Sequence, residues 1–196
     1  TGEWFGSQYY NIEPDIITFA KGITSGYLPL SGIGISDRVS DIIIDKGGEF
    51  YHGYTYSGHP VSCAVAIENI RILKEENIIE NVKNNIAPYL QKRMKEFEDH
   101  PLVGEVRGQG LLVGVELVKN KEQKELFEPA GKVGNICRDH CMNNNLIMRA
   151  VRDGMMCSPP LTVTKEDIDI CVDRFTKSLD LTVKDVNNIA YNTIAS

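Results

Sequence analysis

Ile16-Ile17-Thr18-Phe19-Ala20-Lys21-Gly22-Ile23-Thr24-Ser25-Gly26 is the stretch on which the reading of this chain turns. The β-branched, apolar run from Ile16 to Phe19 reads as a strand, and Gly22 and Gly26 read as a turn. Lys21 therefore stands where a strand hands over to a flexible loop. A primary amine is a nucleophile only when its ammonium form is disfavoured, by burial or by neighbouring positive charge, and burial at a strand end can supply that pressure. Amines so tuned form Schiff bases with carbonyl compounds. Taken alone, a Lys-Gly pair reads as an ordinary solvated lysine; the segments that accompany this one decide otherwise.

Working outward, Pro14 to Phe19 and Leu30 to Ile35 are two apolar runs around the glycine turn, followed by a short helix with Ser36 or Asp37 as its N-cap. The pattern is strand, loop, strand, helix. Gly22 to Gly34 is not a phosphate loop, because it holds neither a Gly-Lys-Ser/Thr triplet nor a full Gly-x-Gly-x-x-Gly. Asp45 to Pro60 is rich in Gly, Tyr and His and long for a connection in a compact domain, so it is expected to face a ligand or a partner. From Val61 to His100 the apolar positions recur at helical spacing, with a break near Glu76-Asn77. Beyond Pro101 the expected order is strand (103–109), strand (111–118), a polar connection, helix (131–144), strand (147–150), strand (155–158) and helix (165–180). Thr164 with Asp167 forms a near capping box at the last helix. Residues 183–196 show little periodicity and read as a tail, either frayed helix or disorder.

Composition bounds the function. Of 196 residues, 42% are hydrophobic and 24% charged, and no apolar stretch approaches the roughly 20 residues of a membrane-spanning helix. The formal net charge of -6 comes with no cluster of Lys and Arg, which argues against nucleic acid as a partner. A small-molecule ligand is expected instead. Five cysteines, an odd number lying mostly in apolar or helical patterns, suit reduced thiols in a cytoplasmic protein. Cys137 and Cys141 share a helix face, but no second ligand pair follows at zinc spacing, so both read as core thiols.

Four segments in order carry a family pattern: the Lys21 stretch; His52-Gly53-Tyr54-Thr55-Tyr56-Ser57-Gly58-His59-Pro60; Val106-Arg107-Gly108-Gln109-Gly110-Leu111; and Leu146-Ile147-Met148-Arg149-Ala150 leading to Ser158-Pro159-Pro160-Leu161. Together they resemble the class III aminotransferases, pyridoxal-phosphate (PLP) enzymes of fold type I, and within them the omega-amino acid or amine:pyruvate transaminases. The resemblance spans Thr1 to about Leu179 and corresponds to the C-terminal half of such an enzyme. Thr1-Gly2-Glu3-Trp4-Phe5-Gly6 matches a mid-chain family segment, so the chain is expected to be a fragment. The implied fold is α/β: the C-terminal part of the large PLP-binding domain over 1–75, a small α+β domain over 76–182, and the tail from 183.

The resemblance also implies roles. Lys21 would form the Schiff base with PLP and then shuttle a proton, acting as nucleophile and general base. Thr55 would reach across a homodimer to the phosphate of the neighbouring subunit's cofactor. Arg149 would hold the substrate carboxylate with its guanidinium fork, whereas Arg152 reads as a surface residue. Arg107 is expected to order the small domain by bonding carbonyls or a carboxylate. Trp4 and Phe5 read as packing, and the mechanism does not call on His52 or His59. The acid for the pyridine nitrogen, the stacking ring and the phosphate amides lie in the family before the first residue here, and Asp15, at the far end of the Lys21 strand, is a poor substitute. The partners are an amino donor and a 2-oxo acid acceptor. Alternatives are relatives acting on ornithine, GABA or glutamate semialdehyde, and a non-catalytic dimerisation module.

Overall fold

The computed structural model describes residues 1–194, with side chains through Asn187. It divides into two compact units, Glu3–Ile79 and Glu80–Ser196 with Thr1–Gly2.

The first unit begins with a single helical turn, α1 (Gly6–Tyr9), and an antiparallel hairpin of β1 (Ile16–Ala20) and β2 (Ser31–Ile35). Phe19 lies against Gly32, its register partner, where a Cβ would sit 2.5 Å from the ring. The hairpin is followed by α2 (Asp37–Lys46) and α3 (Pro60–Glu75). Ser36 precedes α2 as expected, but its hydroxyl donates to Asp15 (2.9 Å) instead of capping the helix, and Arg38 also pairs with Asp15. Proline at the first helical position of α3 lacks only an N–H that would be unpaired there anyway. Buried side chains are few in this unit, Thr24, Ser62 and Ala66 among them, while Ile16, Ile33 and Ile67 are 59%, 64% and 69% exposed. A two-stranded sheet leaves its apolar faces uncovered.

At the end of the first unit Asn77, at a φ of +50°, breaks the helical run at the expected place, and the second unit begins just beyond it. The chain then forms α4 (Ile78–Asn81), a π-helical turn (Val82–Ile86) and α5 (Ala87–Lys95). A four-stranded antiparallel sheet follows in the order β3 (Val103–Gln109), β4 (Leu112–Leu117), β6 (Gly154–Cys157) and β5 (Arg149–Val151). Its alternation is plain: Val106, Val115, Met155 and Ala150 form one cross-strand row on the core side. Arg107, Gly114, Met156 and Arg149 form the next row, on the opposite face. Helices α6 (Lys132–Asn143) and α7 (Lys165–Ile194) complete the core with Phe175 edge-on to Phe97 at 4.8 Å. Cys137 and Cys141 are both fully buried in it.

Thr164 and Asp167 make the reciprocal cap, the Asp167 N–H donating to Thr164 Oγ1 (3.1 Å) and the Thr164 N–H to the Asp167 carboxylate (3.0 Å). The helix they start does not stop near Asp180, as the sequence suggests, but runs through Ile194. The reason is that Val172, Phe175, Leu179, Thr182, Val183 and Val186 continue one inward stripe, broken to the eye by the hydroxyl of Thr182. Thr182 is nevertheless buried, donating to the Ser178 carbonyl at 2.7 Å. The expected tail thus begins as helix; residues 195–196 lie outside the described residues.

His100, just before β3, gives this unit a pH dependence. Its Nδ1 accepts the Leu102 N–H (3.2 Å) and its Nε2 lies 3.5 Å from Asp180. Burial lowers its pKa from 6.5, outweighing the opposite pull of Asp180, with Lys121 adding to the lowering. Below pH 6.5 the unfolded chain therefore binds the proton first, so the contribution is present above that pH and is lost as pH falls through the folded pKa. Melting temperature is expected to fall between about pH 7 and 5, and His100→Asn to flatten that fall. An unchanged slope in the variant would assign the dependence to other groups.

Candidate active site

The Lys21 site is built from a strained turn. β1 ends at Ala20, and Lys21–Thr24 form one 3₁₀ turn in which Lys21 itself adopts a φ of +54°. An unbranched non-glycine residue in the left-handed region costs on the order of 1 kcal/mol and persists only where its surroundings hold it. Here Gly26 N–H donates to the Lys21 carbonyl (3.2 Å) and Ser25 N–H to the Gly22 carbonyl (3.1 Å). Thr24, fully buried, donates its hydroxyl to the Leu28 carbonyl at 2.6 Å. From α3, Asn69 Nδ2 donates to the Gly22 and Ile23 carbonyls (3.0 and 3.1 Å) while its Oδ1 accepts the Ser25 hydroxyl (2.7 Å).

Lys21 borders a cleft of about 750 Å³ whose other walls include Leu28, Ser31, Tyr54, Tyr56 and Ser57. The ammonium has no ion-pair partner among the described residues. The side chain is exposed, so burial by this chain's own residues does not supply the pressure on the amine that the sequence suggests. Thr55 lies in the turn Tyr54–Ser57, closed by Ser57 N–H to the Tyr54 carbonyl (2.9 Å) and by Tyr54 N–H to Ser57 Oγ (3.0 Å). Its neighbours on both sides line the Lys21 cleft, so the two segments paired by sequence pattern meet in one place. A cleft of this size is in the range of small-molecule sites. An accessible amine beside several hydroxyls suits a carbonyl compound bearing a phosphate, so the residues present fit PLP as part of a site.

Arg149 opens β5 in the other unit, exposed on the outer face of the sheet, with no ion pair among the described residues. Asp153 does not pair with it: that carboxylate is buried and accepts the N–H groups of Gly131 and Gly134 at 2.7 and 2.8 Å. Arg107, in the same cross-strand row as Arg149, binds the carboxylates of Glu105 (2.9 Å) and Glu116 (3.0 Å) on β3 and β4. Among the described residues the Arg149 guanidinium has no ion-pair partner. A second cleft, of about 800 Å³, is lined chiefly by apolar side chains such as Leu102, Val118, Phe127 and Val133, and none of Lys21, Thr55 or Arg149 borders it. Among the described residues no group of three or more His, Cys, Asp or Glu could hold a metal ion.

Asn69 and Asp153 are the two residues that the sequence motifs do not announce. A signal for the first does exist: Ala66, Asn69, Ile70 and Leu73 follow inward helical spacing, so a polar side chain occupies an apolar position.

The chain belongs to the class III aminotransferases, whose family profile, aminotransferase class-III, matches residues 1–179. It is 57% identical over 182 residues to a putrescine–pyruvate aminotransferase of Pseudomonas aeruginosa, covering 93% of this chain and 40% of that protein. It is 43% identical over 191 residues to gamma aminobutyrate transaminase 1, mitochondrial, of Solanum lycopersicum, covering 96% of this chain and 37% of that one. A solved transaminase with L-alanine superposes with a TM-score of 0.90 at 39% identity, over 95% of this chain and 44% of its own. The chain thus spans about 40% of the length of the curated relatives it matches. The fold is that of PLP fold type I.

Proposed function

We propose that this chain supplies the lysine and substrate-carboxylate elements of a PLP-dependent transaminase that moves an amino group from an amine or omega-amino acid to pyruvate. The observation that carries the reading is Lys21: an accessible amine, held left-handed at a cleft of about 750 Å³, in a chain of the class III family. The putrescine–pyruvate relative supports a diamine as donor and pyruvate as acceptor. The 43% identical gamma aminobutyrate transaminase favours GABA as the second donor to test.

PLP, when bound, supplies the electron sink and the aldehyde carbon. The protein residues do the rest. Lys21 Nζ would hold the cofactor and, freed by the donor amine, would carry the proton from the donor carbon to the cofactor's aldehyde carbon. Thr55 donates its hydroxyl to a phosphate across a homodimer. Arg149 grips the carboxylate of pyruvate bidentately and stands aside for a donor that has no carboxylate. Five free cysteines support a cytoplasmic location for the protein.

Amine-dependent alanine formation from pyruvate by the complete polypeptide tests the reading, with putrescine and GABA as rival donors. No transfer from either, by protein loaded with PLP, would overturn it. Arg149→Ala separates the substrate classes. Loss of a charge-assisted contact to a carboxylate costs about 1.5 to 3 kcal/mol, so the half-reaction with pyruvate is expected to weaken by that amount while the half-reaction with putrescine changes little. Equal losses in both would make Arg149 a structural residue.

A further inference from the structure

Asn69 sits where the fold would otherwise place an apolar side chain. It lies mid-helix in α3, half-buried, on the stripe of Ala66, Ile70 and Leu73. Asparagine is a poor residue for a helix interior, and a polar amide facing inward is retained only where its hydrogen bonds are met. All three of its bonds go to the lysine turn, 44 to 47 residues earlier in the chain. The backbone bonds of that turn fix its internal shape, from Gly26 to Lys21 and from Ser25 to Gly22. They do not fix where the turn stands relative to α3. Asn69 does, by binding the carbonyls of the two residues after Lys21 and the hydroxyl of Ser25.

We propose that Asn69 is a positioning residue for Lys21: through Gly22, Ile23 and Ser25 it holds the left-handed backbone from which the lysine amine is presented to the cleft. The inference rests on the reading of Lys21 given above and adds a residue to which that reading assigns nothing. Because α3 starts at Pro60, directly after the Thr55 turn, the same helix carries both the anchor of the lysine turn and the segment that bears the threonine.

The chemistry of the amide makes the test sharp. Asn69→Asp keeps the shape and the acceptor for Ser25 but turns Nδ2, a donor to two carbonyls, into an oxygen that repels them. Asn69→Ala removes all three bonds, Ser25→Ala removes one, and Asn69→Gln keeps both donors on a longer arm. The readouts, on the complete polypeptide freed of cofactor, are the rate at which added PLP is captured covalently, followed by visible absorbance, and the pH midpoint of that absorbance. Capture is expected to slow about tenfold in Asn69→Asp and Asn69→Ala, and less in Ser25→Ala, with partial recovery in Asn69→Gln. The pH midpoint is expected to move by about half a unit, and kcat to fall with KM for pyruvate nearly unchanged. A residue that merely stabilised the fold would lower the melting temperature and leave capture rate and midpoint alone. That result in Asn69→Asp and Asn69→Ala overturns the inference; if those two do not fold, an unaltered capture rate in Ser25→Ala overturns it. Lys21→Ala run in parallel distinguishes the failures. Unchanged capture there removes the assignment of Lys21 and this inference with it, whereas abolished capture there beside wild-type behaviour at Asn69 removes the inference alone.

Discussion

Replacing Lys21 with Ala in the complete polypeptide is expected to abolish amino transfer and to let PLP be washed out by dialysis. Two functions go at once, because one nitrogen is both the covalent tether and the proton carrier. Loss of a positioned general base alone costs about 10² to 10⁴-fold in rate, and loss of the nucleophile adds to it. The backbone requires a control. Lys21 stands at a φ of +54°, a conformation that alanine tolerates poorly and glycine freely, so Lys21→Gly separates loss of the amine from a relaxed turn. Both variants are expected to be inactive. Near-normal pyruvate-dependent transfer by either would sink the assignment.

The position of that lysine was legible from local sequence because strand and turn signals act over a few residues: β-branched Ile16 and Ile17 ahead, Gly22 and Gly26 behind. Its conformation was not. Left-handed backbone at a lysine is imposed by the turn and by a helix more than forty residues away, through Asn69. The same division runs through the second unit. The order of strands and helices follows from periodicity, but pairing does not: β6 inserts between β4 and β5, which places Arg149 on the sheet edge and in a row with Arg107. Strand ends also shift with pairing. The 147–150 run reads as apolar strand, yet β5 is Arg149–Val151, and Met148 turns into the core while Ile147 is 86% exposed. A strand-end position predicts burial of Lys21, yet its side chain is exposed, because the hairpin that delivers it has only two strands.

Asp153→Ala is expected to be the most destabilising single change near the arginine. The residue lies in the Arg152-Asp153 turn between β5 and β6, 4% exposed, and each part of it has a partner in a different element. Its carboxylate accepts Gly131 N–H and Gly134 N–H at the start of α6, while its carbonyl accepts the Leu117 N–H of β4 at 2.9 Å. An anion at a helix N-terminus is favoured by the helix dipole as well as by the bonds themselves. Gly134 allows the approach: a Cβ there would stand 2.1 Å from the Arg152 carbonyl oxygen. Alanine at 153 leaves two buried N–H groups without an acceptor, and two charge-assisted bonds together correspond to about 3 to 6 kcal/mol. Asp153→Asn keeps the shape and one acceptor oxygen, so its loss is expected to be about half as large. Denaturant unfolding measures both. Because the same turn sets the strand that carries Arg149, kcat/KM for pyruvate is expected to fall in Asp153→Ala at temperatures where the protein is still folded, with putrescine less affected. A destabilisation under about 1 kcal/mol, or equal losses for both substrates in folded protein, would show that the hairpin is held by its sheet pairing and that Asp153 does not govern where Arg149 stands.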